Sequence, residues 1–262
     1  MKRSHIAVLF SLVSLLTVSC SKIAFTNGEP ITENRPLGHF RAISIHNNVN
    51  VKLLQSDHPN LEITCPRNLI ENVTTQIVGD TLVIKNENTL SWIRSFDYSI
   101  DLTIYYDSLR EVNFASIGEL KSAEGDSIRG IKTPQISTVS VDSPVIFPTS
   151  FNLNVMEGSG NIDLTIGCDI LKHRFTNGTS HVTLKGKCGY SEHASRSYGT
   201  IHAENLSSNF VYVESESTND IYVWAKTGLR VWLYSIGNIY YKGNPETLVE
   251  ACTSDGRLIR LE

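Results

Sequence analysis

The chain has 262 residues, with 23 basic and 27 acidic side chains, and 40% of its residues are hydrophobic. A mild acidic excess spread along the chain argues against nucleic-acid binding and against adsorption to an anionic membrane. No long apolar run follows the short one near the N-terminus, so neither a transmembrane helix nor a membrane barrel segment is expected.

The first 19 residues have the order of a secretory signal peptide. Lys2 and Arg3 form a positive n-region, residues 6–16 form an apolar h-region, and the small residue Ser19 precedes Cys20. The apolar run is too short for a stable membrane span. Its removal takes away two basic and no acidic residues, which leaves 21 basic and 27 acidic side chains and a formal charge of −6.

The sequence LLTVSC, which ends at Cys20, resembles the lipobox of bacterial lipoproteins, although Thr17 stands where that motif usually has Leu or Val. In lipoproteins the signal is cut before the cysteine, which then carries the lipid. Each buried methylene contributes about 0.8 kcal/mol, so several acyl chains hold a protein firmly on a membrane. We expect lipidation of Cys20 and a location in the cell envelope, at the outer membrane. Ordinary signal cleavage and a buried core cysteine are the alternatives.

The stretch after Cys20, SKIAFTNGEPITENRPLG, contains two prolines and two glycines and has no apolar periodicity. Such composition is typical of a flexible linker. The predicted organisation is therefore a signal peptide over 1–19, a lipidated cysteine and tether over 20–36, and one folded domain over 37–262.

Short segments of alternating polarity, bounded by Gly, Ser, Asn and Asp, recur through that domain, as in residues 49–53 and 99–105. Helix signals are nearly absent, because β-branched and aromatic residues stand where a helix favours Ala, Leu and Glu. The sequence predicts an all-β protein.

One phrase recurs at nearly constant spacing in the second half of the chain. Its copies are GSGNIDL, GTSHVTL, SYGTIHA, STNDIYV and SIGNIYY. Each contains an aliphatic residue that opens a strand, and these residues are separated by 20, 19, 20 and 18 positions: Ile162, Val182, Ile201, Ile221 and Ile239. The same pattern extends to Leu120, Val145 and Leu258, which gives eight coils. A period of this length, with small residues at one turn, predicts a parallel β-helix.

An antiparallel β-sandwich is the alternative architecture. Sandwiches use two-residue Asn-Gly or Asp-Gly hairpins, and we expect none in the repeat.

Three stretches carry a resemblance to a known family. They are FRAISIHNNVNVKL at 40–53, LEITCPRNLIENVTTQIVGDTLVIK at 61–85, and the SxG-type turns over 116–237. With them the chain resembles the putative auto-transporter adhesin, head GIN domain family. The resemblance implies a right-handed β-helix with coils of about 18–20 residues and a role in adhesion or surface interaction. It implies no catalytic residues.

Two cysteines fall at equivalent places in neighbouring coils. Cys168 and Cys188 each lie six positions after their aliphatic residue. Stacked strands are about 4.8 Å apart, which permits either a disulfide or two stacked thiols. Neither the cysteines nor the histidines have the spacing of a metal site, so no metal and no cofactor are expected.

An enzyme acting on polysaccharide would need convergent acids, or an acid and a base, on one face. The strongest candidates are Glu214 and Glu216, with Glu192, Arg196 and Arg230 on neighbouring coils. Charges on an outward sheet face are usually only solvated, so we expect no enzymatic activity. The eight histidines form no visible pattern.

Outward aromatic residues give the candidate binding surface, because strand side chains alternate between faces. Exposed Trp and Tyr can stack on sugar rings or seat a partner protein, or they can simply cover the sheet. The candidate residues are Tyr212, Tyr222, Trp224, Trp232, Tyr234 and Tyr240.

Three functions follow from these features. The first is a lipid-anchored, non-enzymatic surface binding protein or adhesin, whose partners are its membrane and a glycan or surface protein. The second is a β-helical polysaccharide lyase or hydrolase, and the third is a structural envelope protein. The sequence does not determine the oligomeric state.

Overall fold

The computed structural model describes residues 27–88, 98–132 and 149–262. The predicted signal peptide, Cys20, the tether up to residue 26 and Val145 lie outside the described residues. The described part of the chain contains strands and a single 3₁₀ turn at Ile70–Asn72. None of its helical segments has the length and apolarity needed to cross a membrane.

The described strands pair into one curled open sheet. The first strands in chain order are β1 Pro30–Pro36, β2 Ala42–Asn47, β3 Asn50–Gln55, β4 Asn60–Pro66, β5 Val73–Val78, β6 Thr81–Asn86, β7 Asp101–Tyr106, β8 Glu111–Ser116 and β9 Leu120–Ser122. They are followed by β10 Ile131–Lys132, β11 Thr149–Glu157, β12 Ile162–Phe175, β13 His181–Ser195, β14 Thr200–Ser215, β15 Ile221–Leu233, β16 Ile239–Lys242, β17 Glu246–Cys252 and β18 Leu258–Arg260.

The four long strands β12 to β15 pair in parallel with one another, and each contributes to two ladders. The first halves of the long strands form one ladder, in which β12 pairs with β9, β15 pairs with β16, and β16 pairs with β18. We call this ladder the first face. The second halves form another ladder, in which β12 pairs with β11 and β15 pairs with β17. We call this ladder the second face. The buried residues of both faces belong to one hydrophobic core.

The predicted period is confirmed by the register of the first face. Ile162, Val182, Ile201, Ile221 and Ile239 are direct partners along the ladder, and all are buried. The all-β prediction is confirmed as well.

The predicted order of coils is wrong between Leu120 and Ile162. Leu120 pairs directly with Ile162, so no coil at Val145 separates them in this ladder. Upstream, Leu120 pairs with Val51, a position that the repeat analysis did not include.

The N-terminal part of the sheet departs from a simple solenoid. Strands β2 and β3 lie between β6 and β7 on one side and β8 and β9 on the other, so spatial order and chain order differ. Beyond them, β5 pairs antiparallel with β6, and β4 pairs antiparallel with β7 and β1. The observed architecture is thus a curled open sheet, and a complete parallel β-helix is not confirmed.

Part of the predicted tether is folded. Residues 30–36 form strand β1, where Pro30 and Pro36 stand at the two ends and leave the interior of the strand free to pair. Ile31 packs against the core, and Nη1 of Arg35 donates to the carbonyl of Val73 at 2.6 Å. Prolines and turn residues usually indicate a loop, but at the two ends of a strand they leave its pairing intact. For this reason the sequence pattern did not indicate β1. The folded domain therefore starts before residue 37.

A tight hairpin was also missed by the sequence analysis. Val78 pairs with Thr81, so Gly79 and Asp80 form a two-residue loop between β5 and β6. Gly79 has a φ of 65°, as the first central residue of a type II′ turn requires. This Gly-Asp pair has the reverse order of the Asn-Gly and Asp-Gly pairs that signal a hairpin.

The small residues of the repeated turn are explained by contact between successive turns. The amide of Thr179 donates to the carbonyl of Gly158 at 2.9 Å, so the turn backbones bond directly to each other. A Cβ on Gly160 would lie 1.7 Å from the carbonyl oxygen of Gly118, which excludes any side chain there. The serine that begins the turn accepts from the backbone two residues on, as Ser197 Oγ does from the Gly199 amide at 3.2 Å.

Two histidines lie at an inward position of the second face. His173 pairs with His193 in the ladder, both are fully buried, and their Nδ1 atoms are 3.5 Å apart. Their Nε2 atoms have no hydrogen-bond partner among the described residues. Burial lowers the pKa of His193 to about 4, and burial and the neighbouring His193 lower the pKa of His173 well below its ordinary value. Both rings are therefore neutral at pH 7.

The two cysteines of neighbouring coils are confirmed as direct partners in the register. Both are buried thiols in the structure, and each donates to the carbonyl two residues further on, Cys168 to Ile170 at 3.2 Å and Cys188 to Tyr190 at 3.0 Å. The hydrogen bond with Cys188 and burial raise the pKa of the Cys168 thiol. The Cys168 thiol, kept protonated in this way, reacts slowly, whereas the hydrogen bond with Cys168 lowers the pKa of Cys188.

We predict that stability falls between pH 7.5 and pH 5 because the two buried histidines must remain neutral in the fold. The unfolded chain binds a proton at each imidazole below about pH 6.5, whereas the folded chain does not, so each histidine removes about 2 kcal/mol from the unfolding free energy at pH 5. Urea unfolding at the two pH values measures the loss. His193→Leu should weaken the pH dependence, and the exposed His58→Gln should leave it unchanged. Equal midpoints at both pH values would contradict the prediction.

We predict that a maleimide labels the protein from residue 21 onward at Cys252 alone while it is folded, because Cys252 is exposed. Cys65, Cys168 and Cys188 are buried, and burial also raises the pKa of Cys65 to about 11. They should react only after unfolding, and Cys252→Ser should remove the label from the folded protein. Mass spectrometry counts the labels without reductant. A pair of cysteines that stays unlabelled after unfolding would reveal a disulfide instead.

Candidate functional site

The candidate site consists of side chains on the outer surfaces of the two faces. Strand alternation places them there, because each neighbour in the chain points into the core. The structure divides the six predicted aromatic residues into two groups of three. Those on the first face are Tyr222, Trp224 and Tyr240, and those on the second face are Tyr212, Trp232 and Tyr234, of which Tyr234 directly follows the end of β15. All six are half-buried.

The first face carries an aromatic ladder of three rings. His202 and Tyr222 stack with ring centroids 4.7 Å apart, and Tyr222 and Tyr240 stack at 4.8 Å, with interplanar angles of 8° and 9°. These distances equal the spacing of neighbouring strands, so the register itself brings the rings into contact. Both ring faces of Tyr222 are covered by its neighbours. Nδ1 of His202 lies 3.3 Å from the carboxylate of Glu204 on the same strand.

Trp224 lies on the same face next to Lys242, its partner in the register. The Lys242 ammonium stands 4.6 Å from the centroid of the indole ring, within the range of a cation–π interaction. One face of this ring is therefore also occupied by a side chain of the protein.

The second face holds the other three aromatic residues among charged neighbours. Trp232 and Tyr234 meet edge to face at 6.0 Å, and the hydroxyl of Tyr212 donates to Glu214 at 3.3 Å. Burial and the Glu214 carboxylate raise the pKa of Tyr212. The phenol is therefore a neutral hydrogen-bond donor at physiological pH.

The acidic residues considered for catalysis are held in ion pairs with arginines. Arg196 contacts both Glu214 at 3.7 Å and Glu216 at 3.0 Å, and Arg174 contacts Glu192 at 3.6 Å. Their side chains are partly or largely exposed, where such pairs contribute little to stability. An arrangement of this kind offers charge and hydrogen bonds to a partner on the surface.

Three open grooves formed by described residues lie on these faces, and the smallest of them, about 280 Å³, is lined by the ion-paired Arg174, Glu192, Arg196 and Glu214. The other two are more voluminous, and we call them the larger and the smaller groove. The larger, about 730 Å³, crosses the first face and is lined by charged and hydroxyl side chains that include Lys52, Lys121, Asp163, Thr183 and Lys185. Lys185 and Asp163 form an ion pair across it at 2.9 Å. The smaller groove, about 480 Å³, lies at the edge of the second face.

The smaller groove contains two aromatic residues that the sequence analysis missed, Tyr190 and Phe210. They are direct partners in the register, 20 positions apart. The period that aligns Ile201 with Ile221 also aligns Tyr190 with Phe210 when it is applied to the second half of each coil.

The described ranges contain no cluster of three or more His, Cys, Asp or Glu side chains arranged to hold a metal ion. The buried histidine pair is a pair only, and it lies inside the core instead of on either face.

Comparison with known proteins agrees with the fold. A putative adhesin from Bacteroides fragilis has a TM-score of 0.76 at 20% sequence identity, over 90% of this chain and 100% of that chain. A putative lipid binding protein from Parabacteroides distasonis has a TM-score of 0.58 at 19% identity, over 90% of this chain and 98% of that one. A putative adhesin from Parabacteroides merdae has a TM-score of 0.58 at 16% identity, over 90% and 98%.

The comparison with curated proteins gave no match. The model of one family, described as "Putative auto-transporter adhesin, head GIN domain", matches residues 39–245. This match covers most of the chain and includes both faces of the long strands. The chain therefore belongs to the putative auto-transporter adhesin, head GIN domain family.

Proposed function

We propose that this protein is a non-enzymatic lipoprotein of the cell envelope that binds a partner, a glycan or a surface protein, through the outer faces of its sheet. The observation that carries the proposal is the pair of outward faces on which aromatic, hydroxyl and ion-paired side chains lie in register over several coils. Such surfaces suit adhesion, because contact is spread over many weak interactions. The adhesin family and its structural neighbours support the same conclusion.

The scaffold under these faces is, in this proposal, a right-handed parallel β-helix. Parallel pairing of β12 to β15 at intervals of 17 to 20 residues supports it. The antiparallel strands β1, β4 and β5 then serve as a cap at the N-terminal end, since they cover edges that would otherwise be free to pair.

The membrane is the second partner in the proposal. The signal peptide and the lipobox-like LLTVSC motif support lipidation of Cys20, with the outer membrane as the site of attachment. The remaining residues before β1 then connect the lipid to the folded domain.

We predict that Cys20→Ser moves the protein from the membrane fraction to the soluble fraction, because the acyl chains are its only anchor. Fractionation of expressing cells and metabolic labelling with a palmitate analogue measure the shift and the loss of lipid. Ser19→Ala, which keeps a small residue before the cysteine, should leave both unchanged. Membrane attachment of the Cys20→Ser protein would show that another segment anchors it.

We predict that the two faces contribute differently to binding of intact cells by the mature protein. Trp232→Ala on the second face should lower binding by about tenfold, since a lost aromatic contact removes up to about 1.5 kcal/mol. Tyr222→Ala on the first face should mainly lower the melting temperature, because both faces of that ring are already covered. The exposed turn residue Ile236 gives the control variant Ile236→Ala.

Flow cytometry with fluorescent protein measures the binding, and circular dichroism confirms that each variant is folded. The proposal of a binding function fails if the mature protein binds neither cells nor a glycan array. The assignment to the second face fails if folded Trp232→Ala protein binds as well as the unaltered protein.

A further inference from the structure

The smaller groove combines aromatic rings with charged and hydroxyl side chains. It lies at the edge of the second face, where strands β13, β14, β15 and β17 are neighbours in the ladder, and has a volume of about 480 Å³. This volume is within the range of about 300–1,000 Å³ that small-molecule sites occupy. Its side chains include Tyr190, Phe210, Tyr212, Arg230 and Glu246.

A glycine creates the opening. In the register Tyr190 is followed by Phe210, then by Gly228, then by Glu246, so the row of outward side chains is interrupted at one strand. The Phe210 ring leans into that space, since a Cβ added to Gly228 would lie 2.7 Å from its Cδ1 atom. Even so, Phe210 remains 53% exposed, which is unusual for a phenylalanine in the middle of a strand.

Hydrogen-bond donors and acceptors both surround the Phe210 ring. Tyr212 and Arg230 are partners in the adjacent outward row and supply a phenol and a guanidinium. Glu246 supplies a carboxylate, and Thr227 and Thr247 line the groove with hydroxyls. Burial and the nearby Glu192 raise the pKa of Tyr190, so its phenol stays a neutral donor.

We propose that this groove is a saccharide-binding site that takes a short stretch of an oligosaccharide, with a sugar ring stacked on Phe210. This inference rests on the proposed binding function and names the ligand class and the residues. A pyranose has apolar C–H faces and a rim of hydroxyls that both donate and accept. An exposed aromatic ring flanked by phenols, a guanidinium and a carboxylate matches both properties.

Other ligand classes fit this groove less well. A nucleic acid needs several cations along its phosphates, and the groove lining contains Arg230 as its one cationic side chain. An acyl chain gains nothing from Arg230 and Glu246 and would bury them at a cost.

The groove also has a length suited to a polymer. It spans four neighbouring strands, and three spacings of about 4.8 Å give a length of about 14 Å. An open groove of this length permits an internal segment of a longer glycan to bind without a free chain end.

The test uses the mature, full-length domain on an array of immobilised neutral, amino and acidic oligosaccharides, followed by titration calorimetry with the soluble oligosaccharide that gives the strongest signal. Phe210→Ala should weaken the affinity at least about tenfold, because it removes the stacking ring. Gly228→Thr, which fills the opening without removing an aromatic residue, should do the same.

Tyr198→Ala is the matched control, since Tyr198 is 65% exposed but lies in a turn outside the groove, and it should bind normally. Unchanged affinity in both folded groove variants would overturn the inference, as would an array without a single bound oligosaccharide. Phe210-dependent binding of oleate or of phosphatidylethanolamine vesicles, without glycan binding, would assign the groove to lipid instead. Unchanged oligosaccharide affinity of the Phe210→Ala variant, together with binding of cells that persists, would refute the groove while leaving the proposed adhesion function intact.

Discussion

The parallel, in-register stacking of coils is the constraint on which the rest of this structure depends. Most residues of the long strands pair with the residue 17 to 20 positions later, as Ile162 does with Val182. Neighbouring strands are held about 4.8 Å apart by their backbone hydrogen bonds, so each column of side chains has one environment along its whole length. An inward column must be apolar, a corner column must be small, and an outward column is free to vary. The period of the sequence follows directly from this geometry.

The same constraint brings polar residues together inside the core. A single buried histidine would need a partner from elsewhere, but His173 and His193 meet because they occupy the same column in successive coils. Their contact satisfies one nitrogen of each ring, while the Nε2 atoms remain without a partner in the described part of the chain. An unsatisfied buried group costs about 1–3 kcal/mol. The fold tolerates this cost because the apolar columns above and below are continuous.

The sequence predicted those parts of the fold that follow from the period. The strand register from Ile162 to Ile239, the glycine corner and the stacking of Tyr222 on Tyr240 all follow from one repeated spacing. The N-terminal third could not be predicted in this way, because strands β2 and β3 are inserted between later strands and no local pattern records that order. Strand β1 was not predicted because prolines stand at both of its ends. The hairpin of β5 and β6 was not predicted because its turn is Gly79-Asp80, the reverse of the usual order. The groove at Phe210 was missed because it lies in the second half of the coil, which the search for repeats did not follow.

A regular ladder and a binding site make opposite demands on aromatic residues. Rings that stack at the strand spacing are already in contact, as Tyr222 and Tyr240 are at 4.8 Å, and no ligand can enter between them. Perfect periodicity therefore uses aromatic surface to stabilise the scaffold. A ring becomes available to a ligand where its column is interrupted, and Gly228 provides that interruption beside Phe210. In a protein built from repeats, the positions most relevant to recognition are accordingly those at which the repeat fails, and the outward columns are where such failures cost the fold least.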